Sequence, residues 1–275
     1  MLSKKIKEKL VSFAKEDIAG KDITTELVTE KKCNAIIKLK EKAVVSGLEE
    51  AKHLFEYFGV KTKGLGKNGK EYNKGKVLLE LHGSNKKILA VERTALNVLS
   101  RMSGIATVSR KAQKTGGKTR IMLSRKTCPG LNELDKKAGI EAGILPHRKN
   151  LNSAFLIKEN HLKFNSISEL IKKAKEKNRK NKEKKIIEVE VKNFSEVKNA
   201  VKAKPDVIML DNFSVKNARK ALKEIRKKNK KIKIELSGNI NFKNLKKYSD
   251  LNPDFISIGL LTHSVKGINL SLLID

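Results

Sequence analysis

Short apolar segments alternate with longer amphipathic segments from about residue 105 onwards. The apolar segments predict six strands, at 119–124, 153–158, 186–191, 206–210, 232–236 and 255–259. The amphipathic segments between them predict helices at 167–177, 195–202 and 215–228. One strand and one helix in every 20 to 35 residues or so is the spacing of a parallel sheet or an α/β barrel. Six units are fewer than a complete eight-stranded barrel needs, so the alternation alone fits an incomplete barrel and a doubly wound sheet equally well.

The segment before residue 105 has a mixed pattern. Residues 2–15 place their apolar side chains on one face and predict an amphipathic helix. Further helices are expected to begin at Gly47 and after Ser84, since serine is a good N-cap residue. A polar turn is expected at 16–25, and short strands at 35–39, 43–45 and 77–81. We therefore expect an α+β domain to precede the alternating region.

The chain of 275 residues is long enough to bury a large core. It has no apolar stretch that could span a bilayer, and residues 1–9 lack the apolar centre of a signal peptide. Its two cysteines, Cys33 and Cys128, lie in unrelated contexts without metal-ligand spacing. The sequence therefore predicts a reduced, cytoplasmic protein without zinc and without a membrane partner.

The formal net charge of +32 suggests nucleic-acid binding, because basic surfaces release counterions from phosphate backbones. However, lysines are spread along the whole chain, and only 4% of the residues are aromatic, which leaves few platforms for base stacking. We therefore expect nucleic acid not to be a partner and interpret the charge as a compositional bias. Arginine is scarce by comparison, so the arginines that follow predicted strands stand out.

Basic side chains lie at or just after several predicted strand and helix ends. They are Arg125, Lys126, His147, Arg148 and Lys158. In α/β folds the carboxyl ends of the strands build the functional site. Any one of these side chains could form a surface ion pair, but their common position predicts a site for a multiply charged anion. Arginine also offers a planar fork that matches a carboxylate.

Carboxylates follow on the later strands. Glu188 and Glu190 alternate with apolar residues, so both point to the same side of their strand, which would be the interior of a barrel. Asp211 ends the next apolar run. Buried carboxylates need cations or a metal, and Mg²⁺ favours one or two carboxylates together with water and phosphate oxygens.

Small residues end the last two strands, at Ser237-Gly238 and at Gly259. Glycines there would let backbone N–H groups approach a phosphate closely. Earlier in the chain, His161 is expected to orient Lys158 or to cap the helix that follows it.

These motifs, in this order, resemble the quinolinate phosphoribosyltransferase family over nearly the whole chain. The matching segments are 16–17, 22–25, 92–97, 103–107, 125–127, 129–130, 147–148, 157–161, 188–191, 210–212, 236–239, 256–259 and 261–264. The resemblance implies an amino-terminal open-faced α+β sandwich at 1–104, joined by the tail at 266–275, and an incomplete six-stranded α/β barrel at 105–265. It thereby favours the barrel over the doubly wound sheet.

The resemblance also implies roles for individual residues. Arg125, His147, Arg148 and Lys158 would hold the two carboxylates of quinolinate, and Arg93 would reach into the neighbouring site of a homodimer. Phosphoribosyl pyrophosphate would be held by Lys126, Glu190, Asp211, Ser237, Gly238 and Gly259. Of these, Lys126, Glu190 and Asp211 would be catalytic, and Glu190 and Asp211 would hold Mg²⁺ directly or through water.

The implied reaction joins quinolinate to phosphoribosyl pyrophosphate and gives nicotinate mononucleotide, pyrophosphate and CO₂, a step of NAD biosynthesis. This chain departs from the family pattern beside the carboxylate pocket, at 122–124, at 142–146 and at Ser153. Nicotinate or another aromatic acid therefore stays open as the acceptor, and 145–148 is similar to relatives from molybdenum-transport operons. A basic nucleic-acid-binding protein is the more distant alternative.

Overall fold

The computed structural model describes residues 2–275, and Met1 of the predicted amino-terminal domain lies outside them. The helices are α1 (Lys4–Ile18), α2 (Ile23–Glu26), α3 (Leu48–Tyr57), α4 (Asn85–Gly116), α5 (Asn132–Glu141), α6 (Glu159–Leu162), α7 (Ile167–Lys180), α8 (Phe194–Ala203), α9 (Val215–Lys228), α10 (Leu245–Ser249) and α11 (Leu260–His263). The strands are β1 (Lys32–Leu39), β2 (Ala43–Val44), β3 (Lys61–Gly64), β4 (Glu71–Tyr72), β5 (Val77–Ser84), β6 (Arg120–Leu123), β7 (Phe155–Ile157), β8 (Ile187–Val191), β9 (Val207–Asp211), β10 (Lys233–Ser237), β11 (Phe255–Ile258) and β12 (Leu270–Ile274).

The chain divides into two compact units. The first contains the residues up to Arg110, together with Cys128–Gly143 and Ser264–Asp275. The second contains Lys111–Thr127 and Ile144–His263.

The first unit is built on an antiparallel sheet with the strand order β12-β1-β5-β3. In β1 every second side chain is buried, at Ala35, Ile37 and Leu39, as expected for a sheet with one covered face. Helix α3 packs on β3 and β5, and the buried side chains of α1, α3 and α4 complete the core. The carboxyl-terminal strand β12 pairs with β1, so that Ile274 lies opposite Ala35.

The second unit is a parallel sheet of six strands in the order β6-β11-β10-β9-β8-β7. From β7 to β11 each new strand is added on the same side of the previous one. A doubly wound sheet would reverse its direction of growth part-way, so this order is that of a barrel. Strands β6 and β7 lie at the two ends of the order, and the barrel is incomplete. The mixed fold class and the six predicted strands are confirmed, and every predicted strand overlaps an observed one.

The ends of the helices agree in part with the expectations from sequence. Ser166 and Ser214 cap α7 and α9 through hydrogen bonds from backbone N–H groups one turn later. The polar turn predicted at 16–25 is wrong in detail, because α1 continues to Ile18 and Asp22 caps the short helix α2.

Helix α4 continues through Gly104, although glycine is a poor helix former. The helix is therefore longer than its sequence suggests. A Cβ atom at Gly104 would lie 2.3 Å from the carbonyl oxygen of Lys266. The glycine therefore permits a close backbone approach of the carboxyl-terminal segment to the helix. None of the helices between residues 2 and 275 has the length and apolar character that crossing a bilayer requires.

The one-sided burial of β1 predicts different costs for two neighbouring isoleucines. Ile37 is fully buried, whereas Ile36 on the opposite face is only partly covered. We expect Ile37→Ala to lower the free energy of unfolding by about 2–5 kcal/mol and Ile36→Ala to lower it by about 1 kcal/mol or less. Urea denaturation measures both. Equal losses would contradict the assignment of the core to one face of the sheet.

Candidate active site

A cavity of about 520 Å³ lies at the carboxyl ends of the parallel strands in the second unit. It is lined by Ser124, Arg125, Lys126, His147, Arg148, Leu156, Lys158, Glu190, Met209, Asp211, Asn212, Ser237, Gly238, Asn239, Ser257 and Gly259. All the site residues that the sequence predicts in this unit are among them. Parallel pairing explains this convergence, because it brings the carboxyl ends of all six strands to one edge of the sheet.

Two arginines, Arg125 and Arg148, line the same cavity. Burial lowers the pKa of Arg148, and the positive charge of Arg125 acts in the same direction, while Glu188 opposes them. The Arg148 Nη1 donates to the carbonyl oxygen of Ala154 at 3.4 Å, which holds the guanidinium near the end of β7. Like charges held together in a partly desolvated site favour the binding of an anion between them.

The lysine that follows β7 is paired. Lys158 Nζ lies 2.7 Å from Glu190 Oε2, so β7 and β8 are joined by an ion pair across the cavity edge. The backbone N–H of Lys158 donates to Nδ1 of His161 at 2.9 Å, at the start of α6. His161 thus caps the helix, which is one of its two predicted roles, and it is not among the residues described as lining the cavity.

The carboxylates lie on adjacent strands. Asp211 Oδ1 accepts a hydrogen bond of 2.7 Å from the Ser237 hydroxyl, since these two residues face each other in the β9–β10 register. Asp211 Oδ2 accepts one of 2.7 Å from the Asn212 side-chain amide. Asp211 and Glu190 both border the cavity and keep lone pairs for further partners. One or two such carboxylates, with water and phosphate oxygens, form a donor set that suits Mg²⁺.

The turn after β10 depends on Gly238. Its φ of +85° is a backbone conformation that favours glycine, and a Cβ atom there would lie 2.3 Å from Asn212 Oδ1 and 2.6 Å from the Asn212 backbone nitrogen. Asn239 donates to the same Asn212 Oδ1 at 3.1 Å, so the turns after β9 and β10 are tied together. Small residues here give a phosphate access to the backbone N–H groups.

Gly259 plays a different part at the end of β11. A Cβ atom at this position would lie 3.2 Å from the Lys126 side chain and 3.2 Å from the His263 ring. The absence of a side chain at Gly259 therefore lets the stem of Lys126 cross the end of the strand and bring its ammonium group towards the cavity.

Beneath the cations lies a buried acidic pair that the sequence reasoning identified only in part. Glu188 Oε2 lies 3.4 Å and Glu235 Oε1 3.7 Å from His147 Nε2. Glu188 was noted as an interior carboxylate, but Glu235 was missed. Its signal was an ionisable residue inside an apolar strand, between Ile234 and Leu236. Within residues 2–275, this is the one group of three potential metal ligands that come within 4.8 Å of one another.

Arg93 is the one predicted site residue that belongs to the first unit. It is exposed on α4, next to Thr94, whose hydroxyl donates to Asp17 Oδ2 at 3.2 Å. The motif at 92–97 and the acidic pair at 16–17 are therefore joined within one unit.

The departures from the family pattern lie mostly outside the cavity. Among the described residues, Ser124 lines it, whereas Leu123 and 144–146 do not. Leu145 instead extends the parallel sheet beyond β6 through a bridge to Met122. The backbone of Leu145 therefore has a structural role at the edge of the sheet.

An incomplete α/β barrel with cations, carboxylates and glycine turns at its strand ends defines an enzyme for multiply anionic substrates. Residues 22–103 match the family model for the N-terminal domain of quinolinate phosphoribosyl transferase, and residues 105–273 match the model for its C-terminal domain. The chain belongs to the quinolinate phosphoribosyl transferase family.

Individual relatives agree with this assignment. The probable nicotinate-nucleotide pyrophosphorylase (carboxylating) of Methanocaldococcus jannaschii is 40% identical over 266 residues, which cover 93% of this chain and 92% of the relative. That of Bacillus subtilis is 34% identical over 275 residues, with 97% and 92% covered. The solved nicotinate-nucleotide pyrophosphorylase from Francisella tularensis superposes with a TM-score of 0.94 at 33% identity and covers 100% of this chain and 98% of its own.

The close approach at Gly238 predicts that this position tolerates no side chain. We expect Gly238→Ala to lower the free energy of unfolding by roughly 3 kcal/mol or more, because strain at positive φ is added to a clash with backbone. Gly117→Ala is the matched control, since its φ is +59° but nothing lies within 4 Å of the added Cβ. It should cost only about 1–2 kcal/mol. Equal losses in thermal or urea unfolding would contradict the packing described for the β10 turn.

Proposed function

We propose that this protein transfers the phosphoribosyl group of phosphoribosyl pyrophosphate to quinolinate with loss of CO₂. The products are nicotinate mononucleotide and pyrophosphate. The observation that carries the proposal is the presence of two arginine forks, Arg125 and Arg148, in one cavity with the carboxylate and glycine turns of a phosphoribosyl site. The family and the names of the relatives support it.

Quinolinate carries two adjacent carboxylates, and the cation cluster fits that charge. Arginine forks bind carboxylates with two parallel hydrogen bonds, and Lys158 adds a third positive charge. A monocarboxylate such as nicotinate would leave one fork unmatched. The acceptor ring would thereby be fixed with its nitrogen facing the ribose.

The phosphoribosyl donor is assigned to the opposite side of the same cavity. The turns at Gly238 and Gly259 offer backbone N–H groups to phosphate oxygens, and Lys126 adds charge close to the leaving pyrophosphate. Glu190 and Asp211 are the residues that would hold Mg²⁺. When bound, this ion would neutralise pyrophosphate charge.

The chemistry needs orientation more than acid–base catalysis. The pyridine nitrogen of quinolinate already has a lone pair, which forms the new bond to ribose C1 while the bond to pyrophosphate oxygen breaks and its electron pair leaves with pyrophosphate. The ribosyl carbon becomes cationic in passing, and Glu190 and Asp211 lie where their charge would stabilise it.

Decarboxylation follows from the new charge on the ring. Once the ring nitrogen is alkylated, it withdraws electrons from the adjacent carbon. The bond to the neighbouring carboxylate then breaks, CO₂ leaves, and the ring carbon takes a proton from solvent. The carboxylate that remains is that of nicotinate mononucleotide.

The protein is further proposed to act as a homodimer in which Arg93 of each subunit serves the site of its partner. What supports this is the exposure of Arg93 on α4 and its position in the segment 92–97, which resembles the family motif. An exposed arginine is suited to contact a ligand held by a neighbouring subunit.

The first test is product formation from phosphoribosyl pyrophosphate and quinolinate, with nicotinate in parallel, each with Mg²⁺ and with chelator. We expect nicotinate mononucleotide and CO₂ from quinolinate and Mg²⁺ only. Arg125→Ala should lower kcat/KM for quinolinate by about 100-fold or more, since it truncates one partner of a charge-assisted pair. The matched control is Arg219→Ala, an exposed arginine on α9 whose loss should change turnover less than about twofold.

Each contrary result has a defined meaning. Turnover with nicotinate alone would overturn the acceptor and keep the donor site. Full activity with chelator would overturn the magnesium proposal. An Arg125→Ala protein with normal kcat/KM would overturn the carboxylate pocket.

Subunit mixing tests the shared site. Arg93→Ala and Arg125→Ala should each be inactive alone, but unfolded and refolded together at equal amounts they should regain about a quarter of wild-type activity, because half the dimers are mixed and one site in each is intact. Mixing Arg125→Ala with Arg148→Ala is the control, since both lesions lie in one cavity and every mixed site stays damaged. Equal recovery in both mixtures, or none in either, would contradict the shared site.

A further inference from the structure

Both ring nitrogens of His147 have partners inside the protein. Nδ1 accepts a hydrogen bond of 2.7 Å from the backbone N–H of Arg148. A nitrogen that accepts must carry its lone pair, so the proton of the ring lies on Nε2. Nε2 in turn lies 3.4 Å from Glu188 and 3.7 Å from Glu235. The imidazole therefore joins two parts of the protein, and neither nitrogen is left to meet a ligand.

The acids that face Nε2 come from alternate strands of the barrel. Glu188 lies on β8 and Glu235 on β10, with β9 between them, and such alternate strands contribute side chains to one interior layer. Their side chains are 7% and 1% exposed, and the His147 ring is 8% exposed. The three groups therefore interact in a place that water does not screen.

Glu235 is held as the neutral acid. Burial raises the pKa of Glu235 well above its usual range, and the neighbouring Glu188 carboxylate acts in the same direction. The layer beneath the cavity thus contains one carboxylate and one carboxylic acid, which avoids two adjacent buried negative charges. The charged groups that face this layer from the other elements are Lys158 and Arg148.

The backbone at His147 needs such support. The φ of His147 is +51°, a conformation that non-glycine residues adopt at a cost of about 1–2 kcal/mol. The residue before it is Pro146, whose own φ is fixed by its ring. A residue with this geometry keeps it only where its contacts impose it. The contacts at Nδ1 and Nε2 do so here.

We propose that Glu235 is a positioning residue that acts through Glu188, the nearer partner of His147 Nε2 at 3.4 Å, and through the neutral ring of His147 to fix the backbone, and thereby the guanidinium, of Arg148. This inference deepens the proposed function and rests on it for the identity of the anion. It replaces the predicted role of His147 as a direct carboxylate ligand. The charge that meets the acceptor carboxylate at this corner of the cavity is that of Arg148.

The first readout needs no substrate. In ¹⁵N-labelled protein, long-range ¹H–¹⁵N spectra separate the neutral tautomers of histidine from the imidazolium. The His147 signal, assigned by its loss in His147→Asn, should show a proton on Nε2 and a lone pair on Nδ1 under the conditions of the activity assay. An imidazolium under those conditions would overturn the proposal, even if no substrate is turned over at all.

Two substitutions at Glu235 test, through the binding of quinolinate, whether this residue positions Arg148. Glu235→Gln has the shape of the neutral acid and should leave KM for quinolinate within about threefold of wild type. Glu235→Leu removes the polar anchor and should raise that KM about tenfold, with KM for phosphoribosyl pyrophosphate and kcat nearly unchanged. A merely structural defect would raise both KM values together. If Glu235→Leu does not fold, Glu235→Gln still decides, because a loss of quinolinate binding there would mean that an ionised carboxylate or a metal is required.

A double-mutant cycle tests whether Glu235 acts through His147. In a His147→Ala background, Glu235→Leu should raise KM for quinolinate less than about twofold further, since the connection is already broken. An equal tenfold rise of KM for quinolinate in both backgrounds would contradict the proposal that Glu235 acts through His147. Elemental analysis of the purified wild-type protein is the last check, because one tightly bound metal ion per chain that is absent from Glu235→Gln would assign the three side chains to a metal site instead.

Discussion

The parallel pairing of the six barrel strands is the constraint on which the site depends. It brings the carboxyl ends of β6 to β11 to one edge of the sheet, although the first and last residues there are more than a hundred positions apart along the chain. The register then fixes finer contacts, such as that of Ser237 opposite Asp211, whose side chains hydrogen bond at 2.7 Å. A shift of one residue in β10 would turn Glu235 out of the interior and Ser237 away from Asp211.

The charges at this edge of the sheet differ between the side suited to the acceptor and the side suited to the phosphate donor. Burial lowers the pKa of Arg148 and the like charge of Arg125 lowers it further, so this side of the cavity favours an anion. Lys158 is held by Glu190, so its charge is already partly neutralised before a ligand binds. The side with the two arginines suits the acceptor carboxylates, and the side with carboxylates and glycine turns suits a metal-bound phosphate donor. The lysines behind the net charge of +32 are spread over the whole chain and are not concentrated at this edge.

The sequence predicted those features that local pattern determines. Apolar runs rich in valine and isoleucine predicted all six barrel strands. Charged and small residues at the strand and helix ends predicted ten of the cavity residues. Both signals are contained in a few consecutive positions. The sequence did not predict β3, whose Lys61–Gly64 segment is polar, or β12, whose partner β1 is more than two hundred residues away. It also gave no means of pairing Glu188 with Glu235, since these residues become neighbours only when β8 and β10 lie on either side of β9.

The buried acids also explain how a cluster of cations can be held rigidly before its ligand arrives. Mutual repulsion drives Arg125 and Arg148 apart, and an arginine on a flexible segment would relieve it by moving into water. Arg148 follows a residue at positive φ, and the contacts of the His147 ring help to hold that residue in place. A fully ionised acid pair beneath it would neutralise the guanidinium and weaken its attraction for a substrate carboxylate. Because Glu235 stays neutral, the layer anchors the ring and cancels less of the positive charge that the cavity needs.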